Sequence, residues 1–248
     1  MCRRGWRCYT FLMATARSRP GAEHPAVPVR GSLVTFLRPD DRDFLLGRGV
    51  RRTFRRDQLI MHEGDPTDHV FVLTSGWVRI YSSTADGQEV LFALRGPGDL
   101  IGDLAALHPP TRMASVRTMS EVDVVQLLNA QFDACLHARP TIAIALAKQM
   151  AARLLEAESA RIDSATLDVT QRVAKYVLDL AEQHGTTEPE GLMLRLPLTQ
   201  QDIANRVGAS RRAVARAMLV LRERHIVITS RRLIVVAKPE VLRLFARS

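Results

Sequence analysis

The sequence predicts an α+β chain in three parts: an antiparallel β-roll of double-stranded jelly-roll type, one long helix, and a C-terminal winged helix-turn-helix. Three observations carry this. Between Val50 and Leu128 the chain breaks into short runs of branched and aromatic residues separated by turn signals. From Pro140 to about Asp163 neither glycine nor proline intervenes. From Thr199 to Val227 two capped helical patterns are joined at a glycine.

In chain order, residues 1–30 are expected to be a disordered basic tail: CRRGWRC is charged, YTFLMA is too short for a signal-peptide core, and Ser18 to Pro28 is rich in proline and small residues. Met1 and Met13 both offer a start. The roll is expected over 31–137, opened by a short helical segment from Ser32 to Leu46. Its strands are VFVLT, WVRIYSS, EVLFAL, SVRTM and VDVVQLL, with turns at Gly64, Gly76, Asp86-Gly87 and Gly96-Pro97-Gly98. A helix and hinge fill 138–166. Ile142, Leu146, Met150 and Leu154 step by four along it, so one face is expected on the roll and another on a twin helix. The last unit is expected over 167–248. Leu167, Asp168 and Val169 form a hinge, Asp168 N-caps a helix striped by Val173, Val177 and Leu180, and the loop GTTEPEG closes it.

Thr199 and Asp202 suit a first helical turn, Ile203, Ala204 and Val207 share a face, and Gly208 ends the helix. Ser210 caps a second helix with Val214, Ala217, Met218 and Leu221 on one side and Arg211, Arg212 and Arg216 on the other. A short helix, a glycine turn and a helix with arginines near its start make a DNA-reading helix-turn-helix. IVITSRRLIVVA adds a wing whose turn arginines, Arg231 and Arg232, are placed for phosphate. Thr199, Gln200, Ser210, Arg211, Arg212, Arg216, Arg231 and Arg232 are the candidate DNA contacts. Charge agrees: eleven basic residues against three acidic ones follow from Thr199 onward, so nearly all of the net +9 lies in the last fifth of the chain.

Hydrophobic content of 46% and charge of 25% are those of a globular protein. No apolar run approaches the ~20 residues of a membrane span, so no membrane partner is expected. Cys2, Cys8 and Cys135 match neither a disulfide framework nor a zinc site, which fits a reducing, cytoplasmic compartment.

The roll carries one stretch with chemistry: Gly98-Asp99-Leu100-Ile101-Gly102-Asp103-Leu104, then Thr111-Arg112-Met113-Ala114. Glycine lets backbone amides approach a phosphate, and Arg112 offers a guanidinium fork. Asp103 can accept from a sugar hydroxyl. The same residues equally suit a buried Asp–Arg structural pair beside a tight turn.

The motifs HEGDPTDHVFVLTSGWVRIYSS, DGQEVLFALRGPGDLIGDLAAL, RMASV, QMAARL, LDVTQRVAKYVLDLA and LTQQDIANRVGASRRAV together resemble the Crp/Fnr superfamily of bacterial transcription regulators, nearest its cyclic-AMP receptor branch, from about Ser32 to Val236. The resemblance implies a cyclic-nucleotide-binding roll. It places the family's Gly-Glu-Leu on Gly102-Asp103-Leu104 and its phosphate-gripping Arg-Ser-Ala on Arg112-Met113-Ala114. A pocket-closing arginine falls on Arg153, and the adenine-reading threonine and serine fall on Ala157 and Glu158. The glutamate is shortened, the serine becomes a methionine that cannot donate, and both base readers are replaced. The family's base-reading arginines fall on Arg211 and Arg216, but its acidic base reader falls on Arg212. The iron–sulfur branch needs more N-terminal cysteines and one in the roll; Cys135 lies past it. Haem-sensing relatives use a roll histidine, but His62 and His69 are expected to be ordinary surface or core groups. No metal, haem or cluster is therefore expected.

The expected function is a homodimeric, cytoplasmic regulator of transcription, not an enzyme. A cyclic nucleotide such as cAMP would gate its binding to a palindromic DNA operator, and RNA polymerase is the further partner the resemblance implies. The alternatives are a regulator that binds DNA without a nucleotide or with another effector, and a nucleotide-binding module acting on a protein partner. An enzyme built on Asp103 and Arg112 lacks a nucleophile–base pair.

Overall fold

The computed structural model describes residues 28–107, 111–230 and 232–246. The expected N-terminal tail up to residue 27, Cys2, Cys8 and Arg231 lie outside the described residues.

The chain enters through α1 (Leu33–Phe36) and α2 (Pro39–Leu46), where the sequence predicts one segment. Pro39 explains the break. It disfavours helical backbone at Arg38, which is extended, and then serves as the first residue of α2.

The roll follows: β1 (Val50–Phe54), β2 (Leu59–Met61), β3 (His69–Ser75), β4 (Val78–Ser83), β5 (Glu89–Arg95), β6 (Leu100–Ile101), α3 (Asp103–Leu107), β7 (Ser115–Thr118) and β8 (Val122–Leu128). Two sheets, ordered β1-β8-β3-β6 and β2-β7-β4-β5, pair antiparallel throughout. β3 is covered on both sides. Phe71 and Leu73 pack with Val78, Val116 and Val124 between the sheets. Val70 and Val72 face Leu33, Leu45, Phe132 and Ile142 of the helices. That double burial is why VFVLT is continuously apolar rather than alternating. β1 escapes sequence reading for the opposite reason: it is a sheet edge, and Val50 to Thr53 are all exposed.

After α4 (Asn129–Ala138) comes α5 (Pro140–Thr166), 27 residues and about 40 Å long. Ile142, Ala145, Leu146 and Gln149 are buried on the roll, but Leu154 is 63% exposed. The expected stripe in steps of four does not stay on one face. Each step turns the helix by ~400°, so the line drifts ~40° at a time from the roll toward solvent. Ile144, Leu154, Leu155 and Ile162 form the exposed apolar side, at 57%, 63%, 71% and 58%.

Leu167 is extended, and Asp168 caps α6 (Val169–His184) in a reciprocal box with Gln171. Then come β9 (Thr186–Glu188), β10 (Gly191–Leu194), α7 (Gln200–Val207), α8 (Arg211–Glu223), β11 (Val227–Ser230), β12 (Leu233–Val236) and α9 (Pro239–Phe245). The second sheet unit is ordered β11-β12-β10-β9. β9 lies in the stretch expected to be loop; all three of its residues are exposed, so no apolar pattern marks it. Val173, Val177 and Leu180 of α6 pack with Ile203 of α7 and Val214, Met218 and Leu221 of α8. Leu91, Leu94 and Met119 of the roll join the same core.

Candidate effector pocket and DNA-reading surface

The turn from β6 into α3 depends on Gly102. Its φ is +82°, and a Cβ there would sit 2.5 Å from Arg112 Nη1 and 2.9 Å from Met61 Cε. Only glycine lets the guanidinium come this close to the backbone. Arg112 is buried; Nη2 donates to the His69 carbonyl at 2.6 Å and Nη1 to the Gly102 carbonyl at 3.3 Å. Among the described residues it makes no ion pair. Burial pushes its pKa down, and the fields of Asp68 and Asp65 partly oppose this.

Asp103, the first residue of α3, is also buried, but its partner is not Arg112. Arg153 Nη1 on α5 lies 2.8 Å from its Oδ2, and Gln149 Nε2 donates to the same oxygen at 3.3 Å. The Asp–Arg structural pair that the sequence leaves open at Asp103 and Arg112 is thus Asp103–Arg153. Arg153 also reaches the Leu100 carbonyl and lies 3.6 Å from Asp99. Burial raises the Asp99 carboxyl pKa, which Arg95 and Arg153 draw partly back.

Gln149 organises this site and was not among the sequence candidates. Its Oε1 accepts from the backbone of Leu33 at 2.9 Å and Leu100 at 3.2 Å while its amide holds Asp103. The signal was available: a polar residue three positions after Leu146 and seven after Ile142 falls on the buried face. Other candidates stand apart. Leu104 and Met113 are exposed, Ala114 is half-buried, and Ala157 and Glu158 are exposed on α5. Glu158 lies nine residues from Gln149, two and a half turns, hence on the opposite face, where it pairs with Arg161 at 3.1 Å.

In the C-terminal unit Thr199 and Asp202 cap α7 reciprocally: Asp202 N donates to Thr199 Oγ1 at 3.1 Å and Thr199 N to Asp202 Oδ2 at 2.9 Å. Gly208 is left-handed, with φ +63°, and Ser210 Oγ accepts from Ala213 N at 3.2 Å to start α8. These caps hold α8 with its apolar face on α7 and Arg211, Arg212 and Arg216 exposed on the other. Among the described residues none of the three makes an ion pair. Thr199 is exposed, Gln200 half-buried, and Arg232 exposed at the wing turn with φ +59°.

Residues 51–139 match the cyclic nucleotide-binding domain family and residues 171–245 the Crp-like helix-turn-helix domain. The chain is 36% identical over 165 residues to the CRP-like cAMP-activated global transcriptional regulator of Mycobacterium tuberculosis, covering 66% of this chain and 74% of that protein. The chain belongs to the Crp/Fnr superfamily. The cAMP-activated global transcriptional regulator Vfr of Pseudomonas aeruginosa is 33% identical over 190 residues, covering 75% of this chain and 88% of Vfr. Among solved structures, FixK2 from Bradyrhizobium japonicum superimposes with a TM-score of 0.71 at 22% identity, over 79% of this chain and 96% of that one. The c-di-GMP responsive global regulator CLP of Xanthomonas campestris does so at 0.68 and 23%, over 80% and 99%. The structural likeness shows the Crp/Fnr fold; the sequence relatives are named as transcriptional regulators and none of them as an enzyme. Among the described residues no helix is long and apolar enough to cross a membrane, and no group of side chains is placed to hold a metal ion.

Proposed function

We propose that this Crp/Fnr regulator acts as a cytoplasmic homodimer whose grip on a palindromic operator is set by a cyclic nucleotide, cAMP first, bound around Arg112. The carrying observation is the state of Arg112: a buried guanidinium held by two carbonyl oxygens, with no carboxylate in direct contact among the described residues and only the more distant fields of Asp68 and Asp65 opposing its charge. A buried cation without a paired counter-charge is costly, and a cyclic phosphate would supply a directly bonded anion through a two-pronged contact. Asp103 is the acceptor for a ribose hydroxyl, and Arg153 closes the pocket from α5. The names of the sequence relatives, cAMP-activated regulators, support the choice of nucleotide.

The dimer rests on the exposed apolar side of α5, which a second copy of that helix would cover. Glu158 and Ala157 lie on or beside that side, so their reach is toward the partner's pocket rather than their own. Two hinges at Leu167, Asp168 and Val169 would set the recognition helices about 34 Å apart. RNA polymerase is the proposed further partner. A second reading, another nucleotide, is favoured by one observation: Met113 and Glu158 stand where the family has hydroxyl groups.

The test is DNA binding on a library-selected operator, with and without cAMP, cGMP and c-di-GMP. The expected result is at least a tenfold affinity change with one nucleotide, abolished by Arg112→Leu while nucleotide-free binding persists. Identical isotherms under all conditions would leave a regulator that binds DNA without a nucleotide. No DNA binding at any salt concentration would point instead to a module acting on a protein partner.

A further inference from the structure

The seam between the roll and the DNA-reading unit is ionic where it crosses α5. Glu156 stands between two arginines from opposite sides of the seam. Its Oε2 lies 3.1 Å from Arg95 Nη2 at the end of β5, and its Oε1 lies 3.8 Å from Arg206 Nη2 on α7. Both arginine side chains are largely withdrawn from water, 13% and 15% exposed, and the Nε of each is buried without a hydrogen-bond partner among the described residues. Among the described residues neither guanidinium pairs with another carboxylate. Arg206 also lies over the Tyr176 ring, whose hydroxyl is buried without a hydrogen-bond partner among the described residues. Two half-buried like charges converge here, and Glu156 is the carboxylate that lies within 4 Å of both.

Three residues earlier on the same helix, Arg153 reaches into the effector pocket, toward Asp103 and Asp99. Side chains three apart lie side by side on a helix surface. A single turn of α5 therefore grips the pocket with one residue and the first helix of the DNA-reading motif with the next.

We infer that Glu156 is the positioning residue through which the state of the pocket reaches α7. The inference rests on the gating reading above. A ligand that takes Asp103 from Arg153 changes what holds this turn, and Glu156 carries the change to Arg206. Because α7 packs on α8, moving α7 re-aims the recognition arginines. Coupling of this kind is reciprocal: DNA held by α8 biases the Asp103–Arg153 pair equally.

A second tie provides the control. Arg79 on β4 lies 3.4 Å from Asp202 of α7, with no part of α5 involved. The experiment is amide hydrogen exchange over Gln200–Val207 in the full, nucleotide-free chain. Arg153→Met and Glu156→Gln are each expected to speed exchange about fivefold, and the double variant no more than either alone. Glu156→Asp, which keeps the charge, should restore most of the protection. Arg79→Ala should multiply with Arg153→Met, because its route is separate. If Arg153→Met leaves α7 unchanged, or if its effect multiplies with that of Glu156→Gln, the relay is wrong. Nucleotide isotherms answer a different question. If no nucleotide changes DNA affinity but the non-additivity holds, the relay stands and the choice of effector falls.

Discussion

Asp202 and Arg112 are both charged groups taken out of water, and the fold treats them differently. Asp202 is fully met: it accepts from the backbone and hydroxyl of Thr199 and faces Arg79 at 3.4 Å. Removing its side chain undoes the Asp202 half of a reciprocal helix cap and leaves Arg79, already half-buried, with one fewer counter-charge. Asp202→Ala should therefore cost about 1–3 kcal/mol in urea unfolding. Asp202→Asn should cost less, because the amide oxygen still accepts from Thr199 N. Equal losses for the two would show that charge, not the cap, carries the effect. Arg112 is only half met, by two carbonyls, which suits a ligand-facing group. Sequence alone marked it by its guanidinium chemistry and by the family resemblance. It did not show that Asp103 is pledged to Arg153, since that pairing spans 50 residues and depends on how α5 crosses the roll.

At the scale of the element, α6 carries two groups that titrate in opposite senses. Burial raises the Asp179 carboxyl to about 6; Lys175 opposes this, and Asp163 and Glu182 add to it. Burial lowers His184 to about 4, helped by the charge on Arg95. With a folded pKa above its ordinary value, Asp179 contributes stability below about pH 4 that is lost as pH rises through about 6. His184 is the reverse: its contribution is full above about 6.5 and is lost as pH falls through about 4. Asp179→Asn should thus gain about 2–3 kcal/mol at pH 8 and almost nothing at pH 4. His184→Gln should gain at pH 4 and not at pH 8. Urea midpoints at the two pH values check both, and a pH-independent change in either would mean packing alone. The long helix α5 makes a second prediction. If its exposed apolar side is the proposed dimer surface, Leu154→Glu with Ile162→Lys should give a monomer by sedimentation with the roll still folded, and operator affinity should fall at least 100-fold. Elements like α6, α7 and α8 were legible because Asp168, Thr199, Gly208 and Ser210 are local signals. β1 and β9 were not, because Val50–Thr53 and TTE face water, and Phe54 alone in β1 packs inward, so neither shows an alternating pattern.

Over the whole molecule, charge is partitioned as sharply as structure. The last fifth carries a net +8 of the total +9, and its exposed members cluster on α8 and the wing. Not all of that charge has the same task. Arg211 and Arg216 on α8 are proposed to reach guanine O6 and N7, so Arg211→Ala or Arg216→Ala should cost about 1–3 kcal/mol on operator DNA and relax its sequence preference. Arg232 at the wing turn is proposed to meet phosphate. Arg232→Ala should weaken operator and random DNA alike and reduce the salt slope by about 1. Arg212 separates this protein from relatives that carry an acid there. A carboxylate accepts from cytosine N4, whereas a guanidinium donates to guanine. The operator should therefore carry guanine where an acidic reader would select cytosine, and Arg212→Glu should exchange the two at one position in each half-site. Selection from a random duplex library with both proteins reads this directly. Identical selected sequences would show that Arg212 touches no base and is a phosphate or solvent-facing arginine. A switch confined to that one position would show that α8, started by the Ser210 cap and set against α7 by the Gly208 turn, keeps a fixed register on the groove.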